Sequence, residues 1–350
     1  DSEFEIILNQ EDPLFLNRIS TVLILPEKFA DGSQLAPVGT GPYMYMNDEK
    51  GELTLKRYES YWGEKPLYTM VSILSLDDLD KWTEAYVAEK IDLAVSVPSS
   101  LVKDIRAGDF EIVSVPGLAV TFLAFNFDSN VFEELEMREA VKFAIDRNVF
   151  AEIGGGVLYP ATQFVSSGVY GFDSDLEMPE QDVYRAREYV KSVFPFNRPK
   201  VEIDLLKGQE SIGEYLKGQM SDIGMDVSLN LLTREGLEEK IVSGESDLYI
   251  FGFRSELGDA YDFFTSVVHK EGKYNGNNYS NEILNRKIEE SSTIKEIKKR
   301  AELLREIMRE LVEKDVYGIP LFETKSIYAI SDKLGFEPRI DGYVLAKEIK

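Results

Sequence analysis

The sequence predicts an α/β protein, and one stretch of about fifty residues carries most of that reading. Residues 201 to 206, VEIDLL, alternate apolar and polar as a half-buried strand does. SIGEYLKGQMSDIG follows, with Ile212, Tyr215, Leu216, Met220 and Ile223 on one helical face. Gly224 stops that helix, and Met225, Val227, Leu229 and Leu231 then alternate with Asp226, Ser228 and Asn230 as a second strand. A further helix at 234 to 243 leads to DLYIFGF at 247 to 253, a third strand. Strand, helix, strand, helix, strand is the pattern of a sheet and crossover helices that share one core.

Two amphipathic helices flank this segment. EELEMREAVKFAIDR places Met137, Val141, Ala144 and Ile145 on one stripe, and residues 294 to 313 repeat Ile294, Ile297, Ala301, Leu304, Met308 and Leu311. Such stripes pack one face of a surface helix against a core. Residues 1 to 116 instead mix short β-rich runs, LTLKRY, VSILSL and IDLAVSV, with turns. This predicts a sheet-rich lobe over 1–116 beside an α/β lobe over 117–320. No internal repeat or low-complexity linker separates them, so the lobes should join by short crossovers.

Composition narrows the function classes. At 350 residues and 43% hydrophobic content the chain can bury two or three compact lobes. Its 39 basic against 63 acidic residues give a formal charge of −24, which argues against nucleic acid or anionic lipid as partner. Zero cysteines exclude disulfides, Cys-ligated zinc, iron–sulfur clusters and thiol nucleophiles. The longest apolar run, GLAVTFLAF at 117 to 125, is far shorter than a membrane span and reads as a strand. DSEFEIILNQ has neither the cationic nor the apolar region of a signal peptide.

Catalytic constellations are missing from the pattern. His269 is the only histidine, and no GxSxG elbow accompanies it, so a hydrogen-bonded surface histidine is the ordinary reading. Carboxylate pairs are too abundant for any one to be singled out. Asp77, Asp78 and Asp80 precede a predicted helix from Trp82 to Glu89, where acids cap free amides and meet the helix dipole; their spacing is not that of an EF-hand. Gly154, Gly155 and Gly156 lack the Gly-Lys-Ser/Thr ending of a phosphate loop and predict a turn after the AIDR helix. No cofactor or metal site is expected.

Four motifs in order add a resemblance. PVGTGPY lies at 37 to 43, YESYWGEKP at 58 to 66, FNFDSNVFEELEMREAVKFAIDR at 125 to 147 and YSNEILNRKIEE at 279 to 290. GTGPY alone is only a tight turn. Together and in this order they resemble the family 5 extracellular solute-binding proteins, the peptide, nickel and oligosaccharide receptors of ABC importers. The resemblance implies a multi-lobe periplasmic-binding-protein-like fold of the type II, Venus-flytrap kind. Family members are longer, so it also implies a chain incomplete at its N-terminus, with a remnant of a second lobe at 1–35. It further implies that the tail, 321–350, rejoins the lobe formed by 1–116, and that the protein works outside the cell, at the cell surface or in the periplasm.

The same resemblance picks out FGFRSELGDAYDFF, 251 to 264, which starts where a strand of an α/β sheet ends and ligands usually sit. In peptide-binding members a Gly-Trp strand end pairs with the ligand backbone, and an acidic residue three positions after the aromatic holds the peptide ammonium. Gly252, Phe253 and Glu256 match those positions, with Phe in place of Trp and Glu in place of Asp. Backbone groups from 252 to 255, including Ser255, offer strand-like pairing, and the Arg254 guanidinium suits a ligand carboxylate. Tyr279 and Asn281, like Gly39, Gly41 and Pro42, are expected to be architectural. The expected function is capture of a short peptide by lobe closure and delivery to a membrane permease, by a monomer that is not an enzyme. Nickel chelates and oligosaccharides are alternatives within the family. A secreted carboxylate-dependent hydrolase, or a signalling or chaperone peptide receptor, are alternatives of another class.

Overall fold

A computed structural model describes residues 4–9, 11–30, 37–49, 51–76, 79–97, 101–105 and 110–350. The chain divides into two units, one of Phe15–Val115 with Ser326–Lys350, the other of Asp1–Leu14 with Pro116–Lys325. The first fourteen residues thus group with the larger unit, whereas the sequence reading placed them in the sheet-rich lobe. Leu14 is buried there, and Glu11 meets Lys295 at 2.9 Å.

The smaller unit contains α1 (Phe15–Ser20), α2 (Glu27–Ala30), β1 (Tyr43–Glu49), β2 (Glu52–Arg57), β3 (Met70–Leu74), α3 (Leu79–Val87), β4 (Leu93–Val95), α4 (Val102–Ile105) and the start of β5 (Phe110–Phe125). Strands β1, β2 and β3 form an antiparallel sheet in that order. The two N-terminal motifs meet at its end: Tyr58 N–H donates to the Pro42 carbonyl at 2.8 Å and the Trp62 indole N–H to the Thr40 carbonyl at 3.2 Å. Arg57 closes the intervening loop by donating to the Pro66 and Leu67 carbonyls at 3.0 and 3.1 Å. GTGPY and YESYW therefore build one corner. Asp80 lies in the first turn of α3, where its charge favours the helix, while Asp77 and Asp78 fall outside the described residues.

The larger unit continues with α5 (Leu135–Ala144), α6 (Val149–Ile153), β6 (Leu158–Pro160), α7 (Val183–Val193), β7 (Lys200–Leu206), α8 (Glu210–Asp222), β8 (Asp226–Leu232), α9 (Arg234–Ser243), β9 (Leu248–Arg254), α10 (Ala260–Phe263), α11 (Glu282–Ser291), α12 (Ile297–Arg309) and β10 (Gly318–Ser331). Its strand order is β10-β5-β9-β7-β8, with β6 on β10, and the end of β10 pairs with β4 inside the smaller unit. β7 runs parallel to both β8 and β9, as the strand–helix alternation requires. Gly224 has φ +103° and ends α8.

Alternation along β5 sorts the core into two layers. Leu123 and Phe125 face one cluster with Met137, Val141, Ile203, Leu205 and Leu216; Phe122 and Ala124 face the other with Leu237, Phe263, Leu304 and Tyr317. Helices thus cover both faces of the sheet. Two expectations need correcting. The glycine turn at 154–156 follows α6, not the helix ending AIDR, since the chain leaves that helix at Ile145 and starts a new one at Val149. The 294–313 helix begins only at Ile297, which is exposed, and passes into a π-turn at Glu310–Lys314. Arg300, drawn inward by an ion pair, occupies the buried position in that first turn.

Candidate functional site

β9 lies between β5 and β7, but its two neighbours end at different heights. On one side it pairs with β5 from Leu248 to Arg254, opposite Phe125 to Ala119. On the other, Ile203 pairs with Leu248 and Asp204 with Tyr249, and β7 ends at Leu206. The last residues of β9 therefore overhang β7. Ser255 N–H donates to the Leu118 carbonyl at 3.0 Å and Asn126 N–H to the Asp247 carbonyl at 2.9 Å. Hydrogen-bonded pairs of an antiparallel ladder recur at every second residue, so 249, 251, 253 and 255 turn their backbone groups toward β5. Gly252 and Arg254 turn theirs to the overhanging edge.

The five residues singled out from sequence are thus brought together, in distinct roles. Gly252 is exposed, and a Cβ there would meet only Thr121 Oγ1 at 3.6 Å, an ordinary contact. The fold itself does not demand glycine at 252. Phe253 is half-buried, its ring edge-on to Phe263 at 5.2 Å. Ser255 is buried; its N–H is taken by Leu118, and its hydroxyl bonds Asp259 N–H at 3.2 Å. Strand-like pairing outward is therefore confined to alternate residues and does not extend over all of 252 to 255. Glu256 is not a buried carboxylate: its side chain is 59% exposed and sits 3.0 Å from Arg254 Nε. Two charges on consecutive outward positions at a strand end reach each other without help from the core.

The loop that presents Glu256 is held from beneath. Asp259 caps α10 by accepting from Tyr261 N–H at 2.9 Å, and its carboxylate receives the Arg300 guanidinium in bidentate fashion at 2.6 and 3.0 Å, with both partners buried. Tyr170 adds backbone bonds on either side, from its N–H to the Gly258 carbonyl at 2.9 Å and from Ala260 N–H to its own carbonyl at 2.8 Å. The sequence reading missed this support because Asp259 and Arg300 are far apart in the chain.

Other motif residues are indeed architectural. Asn281 Oδ1 caps α11 by accepting from Ile283 and Leu284 N–H, both at 3.1 Å, and its Nδ2 donates to Asp315 at 3.1 Å. The Tyr279 hydroxyl also donates to Asp315, and burial first, then that carboxylate, pushes its ionisation far up. Arg138 ties the 125–147 motif to the same point, donating to the carbonyls of Phe132, Glu133 and Asp315. His269 meets Glu289 at 3.3 Å through Nε2 and accepts from Glu271 N–H through Nδ1 at 3.3 Å. Among the described residues no helix is long and apolar enough to cross a membrane.

Residues 1–275 match the model of the bacterial extracellular solute-binding proteins, family 5 Middle. The chain belongs to this family. Among its curated relatives are the dipeptide-binding protein of Escherichia coli, 21% identical over 80% of this chain and 56% of the relative, and the nickel-binding protein NikA of Staphylococcus aureus, 22% identical over 85% and 62%. The chain thus spans less than two thirds of the length of these relatives. The fold is shared with the substrate-binding protein CtaP of Listeria monocytogenes (TM-score 0.84, 22% identity, 98% of this chain and 74% of that one). It is shared too with DppA of Helicobacter pylori, solved with the peptide STSA (TM-score 0.77, 18% identity, 97% and 70%). The periplasmic-binding-protein-like α/β fold implied by the four motifs is the one observed.

Proposed function

We propose that this chain is the substrate-binding component of an ABC-type importer, working outside the cytoplasm, that captures a short peptide and delivers it to a membrane permease without chemical turnover. The observation that carries this reading is the overhanging edge of β9. Gly252 turns its backbone donor and acceptor to that edge, which suits a ligand strand whose side chains vary. Glu256 stands at the end of that edge for the peptide ammonium. Its present partner does not prevent this: an ion pair as exposed as Arg254–Glu256 contributes only about 0–1 kcal/mol, so a ligand ammonium displaces or joins it at little cost. Closure of a lobe over the ligand would retain it.

A thermal-shift screen with di- to pentapeptides tests this. Free-amine peptides at about 100 times their dissociation constant should stabilise the protein by roughly 2.7 kcal/mol. The effect should vanish on N-acetylation and weaken about tenfold in affinity in Glu256→Gln, since a charge-assisted hydrogen bond contributes roughly 1.5–3 kcal/mol. A second reading, a nickel chelate as ligand, is favoured by the nickel-binding relative. Stabilisation by nickel chelates but by no peptide would replace the first reading with the second.

A further inference from the structure

We propose that the larger unit carries a second, smaller ligand site: a cavity between α5, the loop at 177–179, α7 and the π-turn at Glu310–Lys314 that takes a single free amino acid. None of the residues lining it belongs to β9 or to the loop after it, so it stands apart from the peptide site proposed above. Its volume of about 240 Å³ lies below the roughly 300–1,000 Å³ of sites for drug-sized ligands, which favours one amino acid over a peptide.

An ion pair with unused capacity at both ends lines this cavity. Glu139 and Lys142, one turn apart on α5, meet at 2.8 Å through Oε1 and Nζ, and their side chains are only 18% and 8% exposed. That bond takes one of the three ammonium hydrogens. Glu139 Oε2 is buried and meets no donor among the described residues. A carboxylate oxygen withdrawn from water in this way is costly until a donor reaches it. Arg185, exposed on α7, lies over the Phe143 ring at 3.9 Å and donates from one NH2 group to the Tyr189 hydroxyl at 3.1 Å, which leaves most of its fork for an acceptor. An α-amino acid carries its ammonium and its carboxylate on one carbon. Laid antiparallel to the Glu139–Lys142 pair, it gives its ammonium to Glu139 Oε2 and its carboxylate to Lys142 and Arg185, so that each charge faces its opposite. An amine alone would leave the two cations unanswered, and an acid alone would leave Oε2 without a donor. Met178 and Val312 supply an apolar wall for an aliphatic side chain, and the exposed carboxylates of Glu177 and Glu313 at the rim favour entry of the ammonium.

The test is a titration followed in the NMR spectrum of methyl-labelled methionines, with alanine and leucine as probes beside the amine and the acid that correspond to leucine without its carboxylate or its ammonium. Leucine at millimolar concentration should shift the Met178 resonance, assigned by its loss in Met178→Leu, and should do so saturably. The amine and the acid should each bind at least about tenfold more weakly, as should leucine itself to Glu139→Gln and to Arg185→Gln, because each change removes a charge-assisted hydrogen bond. Met137 and Met220, both buried in the core, report in the same spectra that each variant is folded. Arg185→Gln, at an exposed position, keeps the test intact should Glu139→Gln fail to fold. Equal affinity for leucine and for either analogue, unchanged affinity in either folded variant, or a Met178 resonance that neither amino acid moves overturns the site. The peptide reading, which rests on β9 and Glu256, is unaffected by any of these outcomes.

Discussion

The two units of this chain use their apolar residues differently. In the larger one, helices close over both faces of the sheet and aromatic rings interlock: Phe263 stacks on Phe164 at 5.5 Å and meets Phe122 and Phe253 edge-on. In the smaller one, the three-stranded sheet leaves Met44, Met46, Met70 and Ile73 exposed, and Trp62 stands out at 82% exposure. The difference teaches where rigidity resides. A strand end is held accurately only if the loop behind it is over-determined, and Glu256 sits on the unit whose core supplies that support. Both tryptophans, Trp62 and Trp82, belong to the smaller unit. Tryptophan emission therefore follows that unit alone, while far-UV ellipticity follows mainly the larger one, and the two transitions can be compared directly.

Arg300→Ala should show the largest effect, because it leaves Asp259 buried without its partner; such removals cost about 3–5 kcal/mol. The ellipticity midpoint in urea should fall while the tryptophan midpoint stays, and peptide affinity should fall with it. Equal movement of both midpoints would mean that the units unfold as one. Asn281→Ala, which removes the cap of α11 and a bond to Asp315, should cost about 1–2 kcal/mol in the same ellipticity signal and leave peptide affinity unchanged.

A smaller, pH-dependent effect is expected at Glu323. It is buried on β10 beside Tyr159, whose hydroxyl donates to its carboxylate at 2.7 Å. Burial raises its carboxyl above the usual range, against the opposing effect of that hydrogen bond. The native state therefore holds this proton more tightly than the unfolded one. The stabilisation is complete below the ordinary carboxylate range and is lost as pH rises through the folded value. Glu323→Gln should raise the midpoint at neutral pH and not at pH 3; a gain at both would show that ionisation is not the cause. The smallest change is expected from Ile73→Ala on the exposed face of the three-stranded sheet, within about 0.5 kcal/mol by tryptophan emission. A loss of 2 kcal/mol or more there would show that this face is covered in solution.

Much of the fold was legible because burial writes its period into a chain. VEIDLL, SIGEYLKGQM and DVSLNLL each face one core layer, so their alternation named strand, helix and strand within a residue or two. The helix at 297–309 was read less well, since Ile297 looked like a stripe residue and the buried place belongs to Arg300, whose partner lies far away at Asp259. The proposed site was half legible: the motif showed that 251–256 closes a strand, whereas the Arg254–Glu256 pairing and the alternate direction of the backbone groups could not be read from it.

By itself the sequence determined the strand–helix alternation of 201–253, the class of sheet it forms, the tight turn at GTGPY, and the absence of any thiol chemistry. Those features depend on local periodicity, turn chemistry and composition. Only the tertiary structure decided which backbone groups of β9 face outward, because that parity follows from pairing Ser255 with Leu118 across the sheet. It also decided that β9 overhangs β7, because two strands of equal length acquire different ends only when their register is fixed.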